Sequence, residues 1–223
     1  MPGFTRIQVA LAMEETGLVP LFYHSDAGIC REVISACHAG GAKVFEFTNR
    51  GSFAHEVFSE VKKWAREQCP GMMIGTGSVM DAPTAALYMQ LDADFIVSPV
   101  LNAEVAKTCN RRKVLWIPGC GTLTEISEAE ELGAEIVKIF PGTSVGGPAF
   151  VKAVKAPCPW TSIMPTGGVD PSEENLRQWF AAGAACVGMG SALITDKLVK
   201  TAGWQELKEN VQATLNTIKR LRT

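Results

Sequence analysis

Short apolar segments alternate with longer amphipathic segments along almost the whole chain. Eight short segments are mainly apolar and are bounded by glycine, proline or polar residues, a pattern that predicts buried strands. They cover residues Leu18–Phe22, 43–47, 72–75, 95–98, 114–117, 135–140, 161–164 and 185–188. Strands that are apolar on both faces are typical of a parallel sheet covered by helices. The chain is therefore predicted to be an α/β protein built from strand–helix units.

Between these segments, apolar residues recur at helical spacing, as Ile29, Val33 and Cys37 do. Asp170-Pro171 is typical of a helix start. Consecutive strands begin about 20 to 30 residues apart, the length of one strand, one helix and two loops. Eight such units predict a single domain, residues 1–223, folded as a closed (β/α)8 TIM barrel. One extra helix is expected before the first strand and another at the C-terminus.

The alternative architecture is an open, doubly wound sheet. Such a sheet usually carries Gly-x-Gly-x-x-Gly after its first strand. Here the first strand is followed by Tyr23-His24-Ser25-Asp26, which does not match. The pattern therefore favours the closed barrel.

Composition excludes several classes of function. The formal net charge is -2 and there is no basic run, so nucleic acid is not an expected partner. No apolar run approaches the roughly 20 residues that span a bilayer, and the first residues lack a signal-peptide core. The seven cysteines form no Cys-x-x-Cys pair, and the three histidines have no metal-binding spacing. We expect a cytoplasmic protein with no membrane contact, no metal and no cofactor.

A lysine lies inside one of the predicted buried strands. Lys138 is flanked by Ile136-Val137 and Ile139-Phe140. Burial disfavours the charged form of an amine, and a neutral amine can attack a carbonyl carbon to form a Schiff base. The alternative is a strand-end lysine that reaches water or pairs with a carboxylate. This segment alone leaves both interpretations open.

A glutamate occupies a similar position on the second predicted strand. Glu46 and Thr48 share one side of that strand, which ends at Arg50. A carboxyl group between phenylalanines is poorly solvated, so its pKa should rise, which suits a group that moves protons near neutral pH. The alternative is a structural ion pair of Glu46 with Arg50 or Lys138.

Glycine-rich loops follow three other predicted strands. They are Gly75-Thr-Gly-Ser78, Pro165-Thr166-Gly167-Gly168 and Gly188-Met-Gly190-Ser191. In TIM barrels, the loops after the last two strands are where phosphate commonly binds, on free backbone N–H groups. Plain tight turns are the alternative. Together with a buried lysine and glutamate, these loops predict a Schiff-base lyase acting on a phosphorylated 2-oxo acid.

The chain resembles 2-keto-3-deoxy-6-phosphogluconate aldolase and its close relative 4-hydroxy-2-oxoglutarate aldolase. The resemblance covers the chain from about Val19 to Leu193. It rests on an ordered set of motifs: Phe45-Glu-Phe-Thr-Asn-Arg50, Ile74-Gly-Thr-Gly-Ser-Val79, Ser98-Pro99, Ile117-Pro-Gly119, Val137-Lys-Ile-Phe-Pro141 and Pro165-Thr-Gly-Gly-Val169. It implies a class I aldolase with a (β/α)8 barrel, a homotrimer that needs no metal. Phe22, Trp160 and Trp179 are candidates for a subunit interface or for the core.

The resemblance also implies roles for individual residues. Lys138 would form the imine with the C2 carbonyl, and Glu46 would shuttle protons. Arg50 and Ser78 would hold the pyruvyl carboxylate, and Thr166 would contact the hydroxyl end of the substrate. Pro99 is a further implied substrate contact. The phosphate would be held by Gly167, Gly168, Gly190 and Ser191.

Two rival functions share parts of this pattern. A phosphate-binding barrel isomerase or epimerase acting on a sugar phosphate would need the glycine loops but no nucleophilic lysine. A non-catalytic binding protein is disfavoured because Glu46, Arg50 and Lys138 are all present. Within the aldolase hypothesis, a phosphorylated six-carbon acid fits the loops, and hydroxy-oxoglutarate would use the same chemistry. These residues leave open the stereochemistry at C4, gluconate or galactonate series.

Overall fold

The computed structural model describes residues 3–222, so residues 1, 2 and 223 of the predicted domain lie outside it. Strands and helices alternate along this part of the chain. The strands are β1 Leu18–Phe22, β2 Val44–Thr48, β3 Met73–Gly77, β4 Phe95–Val97, β5 Leu115–Ile117, β6 Gly119–Cys120, β7 Val137–Ile139, β8 Ile163–Pro165 and β9 Val187–Met189. The helices are α1 Arg6–Thr16, α2 Ala27–Ala39, α3 Ala54–Gln68, α4 Ala82–Gln90, α5 Ala103–Arg112, α6 Leu123–Glu131, α7 Gly147–Lys155, α8 Glu173–Ala181, α9 Asp196–Lys200 and α10 Trp204–Leu221.

All paired strands run parallel, in two groups. Six strands follow the order β5-β4-β3-β2-β1-β9, and three follow the order β6-β7-β8. Strands β5 and β6 are separated only by Pro118, which has no N–H to donate to the ladder. The fifth predicted strand is therefore continued past Pro118 by a short second strand, and the α/β class with parallel, curled strands is confirmed.

Two separate apolar cores account for this arrangement. Inner-facing residues such as Val44, Ile117 and Ile136 form one core enclosed by the strands, and Val9 and Met13 of α1 pack into it. The outer core lies between the strands and the surrounding helices. The predicted extra helices are thus present, and α1 covers the amino ends of the strands.

The helix ends show where the sequence interpretation was inaccurate. Helix α8 begins at Glu173 with Ser172 as its N-cap, whose side chain accepts from the N–H of Asn175, so the helix starts later than Asp170-Pro171 predicts. Asp170 accepts a hydrogen bond from the N–H of Ser172 at 2.9 Å. Among the described residues, no helix is long and apolar enough to cross a membrane.

Two of the three candidate interface residues have other surroundings. Trp179 is buried in the outer core, and its indole N–H donates to the carbonyl of Gly168 at 3.4 Å. Phe22 is partly buried at the end of β1. Trp160 is 70% exposed, so it alone of the three presents a large apolar surface to solvent.

Candidate active site

Two ionisable side chains enter the interior of the strand assembly from opposite parts of the chain. Because the strands are parallel, their carboxyl ends meet at one edge, and α1 covers the other edge. Glu46 lies two residues beyond the inner-core residue Val44, and Lys138 lies two residues beyond the inner-core residue Ile136. Side chains two residues apart on a strand share a face, so both groups point inward above the apolar core.

Lys138 is held deep in this interior. Its backbone N–H donates to the carbonyl of Pro118 at 2.8 Å, and it pairs in register with Gly119 on β6 and Met164 on β8. The residue is 5% exposed, and its Nζ lies 4.9 Å from the centroid of the Phe140 ring. Within residues 3–222, no carboxylate oxygen comes within 4.0 Å of Nζ.

A second buried lysine provides an internal comparison. Lys62 is also 5% exposed, and its ammonium forms an ion pair with Asp94. Asp94 in addition accepts the N–H of Ile74 at 2.8 Å. Lys62 therefore has the carboxylate partner expected of a structural buried lysine, and Lys138 does not. Of the two alternatives for Lys138, a carboxylate pair is not observed within residues 3–222.

Glu46 is as deeply buried as the lysine. It is 1% exposed, and its Oε2 has no hydrogen-bond partner in the described part of the chain. Burial raises the pKa of the Glu46 carboxyl, while the positive charges of Lys138 and Arg50 act in the opposite direction. No ion pair within 4.0 Å joins Glu46 to either cation among these residues, so the alternative of a structural ion pair is not supported.

A glycine on the neighbouring strand makes room for this carboxyl group. A Cβ atom placed on Gly77 would lie 1.7 Å from Glu46 Oε1 and 2.4 Å from its Cδ. The backbone of Gly77 does not adopt a positive φ, so the glycine is needed for space and not for its conformation. The position of the Glu46 carboxyl therefore depends on the absence of a side chain at residue 77.

Arg50 is carried by a loop that is anchored at its start. The N–H of Asn49 donates to the carbonyl of Gly77 at 2.8 Å, and the Asn49 amide oxygen accepts from the hydroxyl of Tyr88 at 2.8 Å. Arg50 itself is exposed and borders a cavity at the carboxyl ends of the strands. In the described structure no carboxylate lies within 4.0 Å of its guanidinium, so the guanidinium N–H groups are available to bind an anion.

The cavity has a volume of about 600 Å³. Six of the predicted site residues line it: Arg50, Thr166, Gly167, Gly168, Gly190 and Ser191. Lys138 and Glu46 are not in its lining, but Phe140, which lies against Lys138 Nζ, is. The cavity therefore lies next to Lys138, with the Phe140 ring in contact with both.

The glycine loops present unpaired backbone donors to this cavity. Gly167 and Gly168 have φ values of 91° and 80°, a conformation that side chains other than glycine rarely adopt. The carbonyl of Gly168 accepts from the Asn175 amide at 3.1 Å, which fixes the loop. Within the described residues, the N–H groups of Gly168, Ser191 and Ala192 have no protein acceptor. Such a set of N–H groups can bind an anion.

Thr166 stands between the buried pair and these loops. It is 7% exposed, and its Oγ1 has no hydrogen-bond partner in the part of the chain that is described. A Cβ atom on Gly188 would lie 2.3 Å from this oxygen, so the glycine on β9 makes room for the hydroxyl. The buried, unpaired hydroxyl is available to a polar group of a bound molecule.

Ser78 and Pro99 are not brought to this cavity. Ser78 follows β3 with a φ of 61°, and Pro99 follows β4; both are partly buried, and neither lines the cavity. The carbonyl oxygen of Pro99 packs against Gly119, where an added Cβ would approach it to 2.2 Å. Their role in substrate binding stays a prediction.

Several lining residues were not identified from the sequence. Tyr23 follows β1, a segment that was used only to exclude a nucleotide-binding loop. Its position at the carboxyl end of a strand, where such barrels place their active sites, could have indicated Tyr23 as a site residue. Asp170 and Asp196 also line the cavity. Asp170 follows a glycine loop and Asp196 begins a short helix, so neither belongs to a recognisable catalytic pattern.

The cysteines are poor candidates for nucleophiles. Burial raises the pKa of Cys30 to about 11 and the pKa values of Cys120 and Cys186 to about 12. Their thiols are therefore protonated near neutral pH, in line with their interpretation as buried apolar residues. Among the described residues, no group of three or more His, Cys, Asp or Glu side chains is placed to hold a metal ion.

Comparison with known proteins decides the family. The family model described as KDPG and KHG aldolase matches residues 9–210. The chain belongs to this family. It is therefore an aldolase, a carbon–carbon lyase, as the motifs around Glu46 and Lys138 predict.

Among curated relatives, the chain is similar to 2-dehydro-3-deoxy-phosphogluconate aldolase of Haemophilus influenzae, with 28% identity over 97% of this chain and 100% of that one. The corresponding enzyme of Pseudomonas aeruginosa is 32% identical over 78% of this chain and 76% of its own length. A third relative is 2-dehydro-3-deoxy-6-phosphogalactonate aldolase of Escherichia coli, 38% identical over 54% of this chain and 58% of that protein.

Solved structures share the fold. KDPG aldolase from Legionella pneumophila, captured with pyruvate as a covalent carbinolamine, superposes with a TM-score of 0.83 at 23% identity, over 92% of this chain and 97% of that one. The 2-keto-3-deoxy-6-phosphogluconate aldolase of Zymomonas mobilis gives a TM-score of 0.80 at 24% identity, over 94% and 97% of the two chains. At these identities the structures support the architecture alone.

Proposed function

We propose that this protein is a class I aldolase that reversibly cleaves 2-keto-3-deoxy-6-phosphogluconate to pyruvate and glyceraldehyde 3-phosphate. The observation that carries the proposal is Lys138, a buried lysine without a carboxylate partner within 4.0 Å among the described residues, whose charge acts on the buried Glu46. The chain that holds this pair belongs to the KDPG and KHG aldolase family. The substrate is that named for its relatives.

The reaction begins at Lys138. Its neutral amine attacks the C2 carbonyl of the substrate and forms a carbinolamine. Loss of water then gives a protonated imine. Glu46, whose pKa is raised by burial, donates the proton that the departing hydroxyl needs and regains it later, directly or through water.

The imine then draws electrons from the C3–C4 bond. Glu46 accepts the proton of the C4 hydroxyl while that bond breaks, so the aldehyde leaves and a pyruvyl enamine remains on Lys138. The same carboxyl returns the proton to C3 of the enamine. Hydrolysis of the resulting imine releases pyruvate and regenerates the free lysine.

The remaining predicted residues bind the two ends of the substrate. Arg50 and Ser78 hold the pyruvyl carboxylate, because a guanidinium matches a carboxylate bidentately, and Pro99 is a further substrate contact. Thr166, with its unpaired Oγ1, contacts a substrate hydroxyl. The phosphate is held by the loops that carry Gly167, Gly168, Gly190 and Ser191.

The proposal extends to the closure of the barrel and to its assembly. Strands β5 and β6 continue each other around Pro118, and a bridge between Thr166 and Gly188 lies where β8 and β9 would meet. We infer a closed single-domain (β/α)8 barrel from these two connections. A homotrimer is supported by exposed apolar side chains such as Trp160 and Phe53, which a subunit interface would cover.

The test is to incubate the enzyme with 2-keto-3-deoxy-6-phosphogluconate and to measure pyruvate with lactate dehydrogenase. Stoichiometric release of pyruvate and glyceraldehyde 3-phosphate supports the proposal. A sugar-phosphate isomerase or epimerase would change the substrate without releasing pyruvate. The same assay with the galactonate epimer and with 4-hydroxy-2-oxoglutarate ranks the alternative substrates.

A further inference from the structure

The charged residues that line the cavity are not those of a dedicated phosphate site. Arg50 is the one cation among them, and two carboxylates, Asp170 and Asp196, line the same cavity within the described structure. Both carboxylates lie near the glycine loops, because Asp170 follows Gly168 by two residues and Asp196 follows Ser191 by five. The end of the cavity proposed to hold phosphate therefore carries more negative than positive side-chain charge.

Asp170 is fixed in this position by its neighbours. Its N–H donates to the Asn175 amide oxygen at 3.1 Å, and its Oδ1 accepts from the N–H of Ser172 at 2.9 Å. Asn175 also donates to the carbonyl of Gly168, so one side chain ties Asp170 to the glycine loop. The second carboxylate oxygen, Oδ2, receives no hydrogen bond from the described residues, which leaves its charge uncompensated.

Asp196 approaches from the opposite loop. It is the first residue of α9, behind the N-cap Thr195, and it is exposed. None of the described cations lies within 4.0 Å of either Asp170 or Asp196. Within the described structure, neither carboxylate is therefore neutralised by an ion pair with a protein cation.

The size of the cavity sets the strength of this effect. A volume of about 600 Å³ corresponds to roughly 8 Å across, so a phosphate inside lies within about one Debye length of both carboxylates at physiological ionic strength. A phosphate ester carries a charge of about -1.5 to -2 at pH 7. Coulomb's law in water at roughly 8 Å predicts that each carboxylate weakens phosphate binding about fivefold without salt. Screening reduces this factor to about threefold at about 0.01 M ionic strength and to about twofold or less at physiological ionic strength.

We propose that Asp170 and Asp196 are specificity-determining residues that lower the preference for a phosphorylated over an unphosphorylated substrate. The backbone N–H groups of the glycine loops attract the phosphate, and the two carboxylates offset part of that attraction. The enzyme thus accepts 2-keto-3-deoxygluconate, whose distal end is an uncharged hydroxyl, alongside its 6-phosphate. This inference rests on the proposed aldolase function and refines its substrate class.

The experiment compares kcat/KM for 2-keto-3-deoxy-6-phosphogluconate and for 2-keto-3-deoxygluconate in the wild type, Asp170→Asn and Asp196→Asn. Asparagine keeps an oxygen that can accept the N–H of Ser172, so the loop geometry is preserved. Glu209→Gln, on the exposed surface of α10, is the control for the change in net charge.

In a buffer of about 0.01 M ionic strength, each asparagine variant should raise the ratio of the two kcat/KM values about threefold, and Glu209→Gln should leave the ratio unchanged. The inhibition constant of inorganic phosphate should fall by a similar factor, and added salt should narrow both differences. A ratio and an inhibition constant that stay within twofold of the wild type in both asparagine variants would overturn the inference while the aldolase function stands. Failure of the wild type to cleave either acid would instead overturn the proposed function.

Discussion

Substitution of Gly77 by alanine is the perturbation that most directly probes how the Glu46 carboxyl, the proposed proton-transfer group, is positioned. The added Cβ would lie 1.7 Å from Glu46 Oε1, whereas ordinary van der Waals contact begins near 3.4 Å. The carboxyl oxygen must therefore move by about 1.7 Å, the difference of these two distances. Glu46 is buried against neighbouring strands, so this movement displaces its carboxyl group from the position observed in the structure.

The expected loss of activity follows from that displacement. A misplacement of about 1 Å in a reacting group can cost roughly 100-fold in rate. We therefore expect kcat of Gly77→Ala to fall at least about 100-fold. The assay is steady-state release of pyruvate, combined with circular dichroism to show that the variant is folded.

Two further variants separate positioning from general damage. Gly121→Ala is the matched control, because its added Cβ would meet its nearest atom at 3.4 Å, an ordinary contact. In a Glu46→Gln background, the Gly77→Ala change should cost almost nothing further, because the group that it displaces is already inactive. A kcat of Gly77→Ala within threefold of the wild type, or losses that simply add in the double variant, would refute the argument.

Three other outcomes follow from the same geometry. Lys62→Met should lower the free energy of unfolding by about 3 to 5 kcal/mol, because it leaves the Asp94 charge buried and unpaired. Lys138→Met should instead stay folded and lose activity. Urea denaturation and the pyruvate assay distinguish the two variants. Burial raises the pKa of Glu46 in the folded protein above its unfolded-state pKa of about 4.3, so the wild type loses stability as pH rises above that value. The variant Glu46→Gln should therefore have a free energy of unfolding about 1 to 3 kcal/mol higher than the wild type at pH 7. At pH 4 the variant should be no more stable than the wild type. Inorganic phosphate should inhibit competitively, and purely non-competitive inhibition would contradict the proposed phosphate site.

Much of the fold was predictable because it depends on local patterns. The apolar runs located the strand regions, and the helical spacing of residues such as Ile29, Val33 and Cys37 indicated helices between them. Helix α7 was missed because it begins at Gly147-Pro148, residues that are typical of a loop. The break between β5 and β6 follows from the missing N–H of Pro118, which the sequence analysis did not use.

The positions of Glu46 and Lys138 were predictable for a similar reason, and their surroundings were not. Period-two alternation on a strand is enough to place Glu46 and Lys138 on inner faces at the carboxyl ends. The space at Gly77 depends on which residues of β2 and β3 lie opposite each other, a register that no single segment encodes. The position of Asp170 depends on hydrogen bonds with Ser172 and Asn175 in the turn before α8, whereas the Asp-Pro pattern was interpreted as the helix start itself.

The central claim, that Lys138 forms a covalent imine, is tested most directly by intact-mass measurement after incubation with pyruvate and borohydride. The wild type should gain the mass of one reduced pyruvyl adduct, and peptide mapping should place it on Lys138. Lys138→Met should show no adduct, while Lys62 stays unmodified in the wild type. An unmodified wild type, or an adduct that persists in Lys138→Met, would contradict the account.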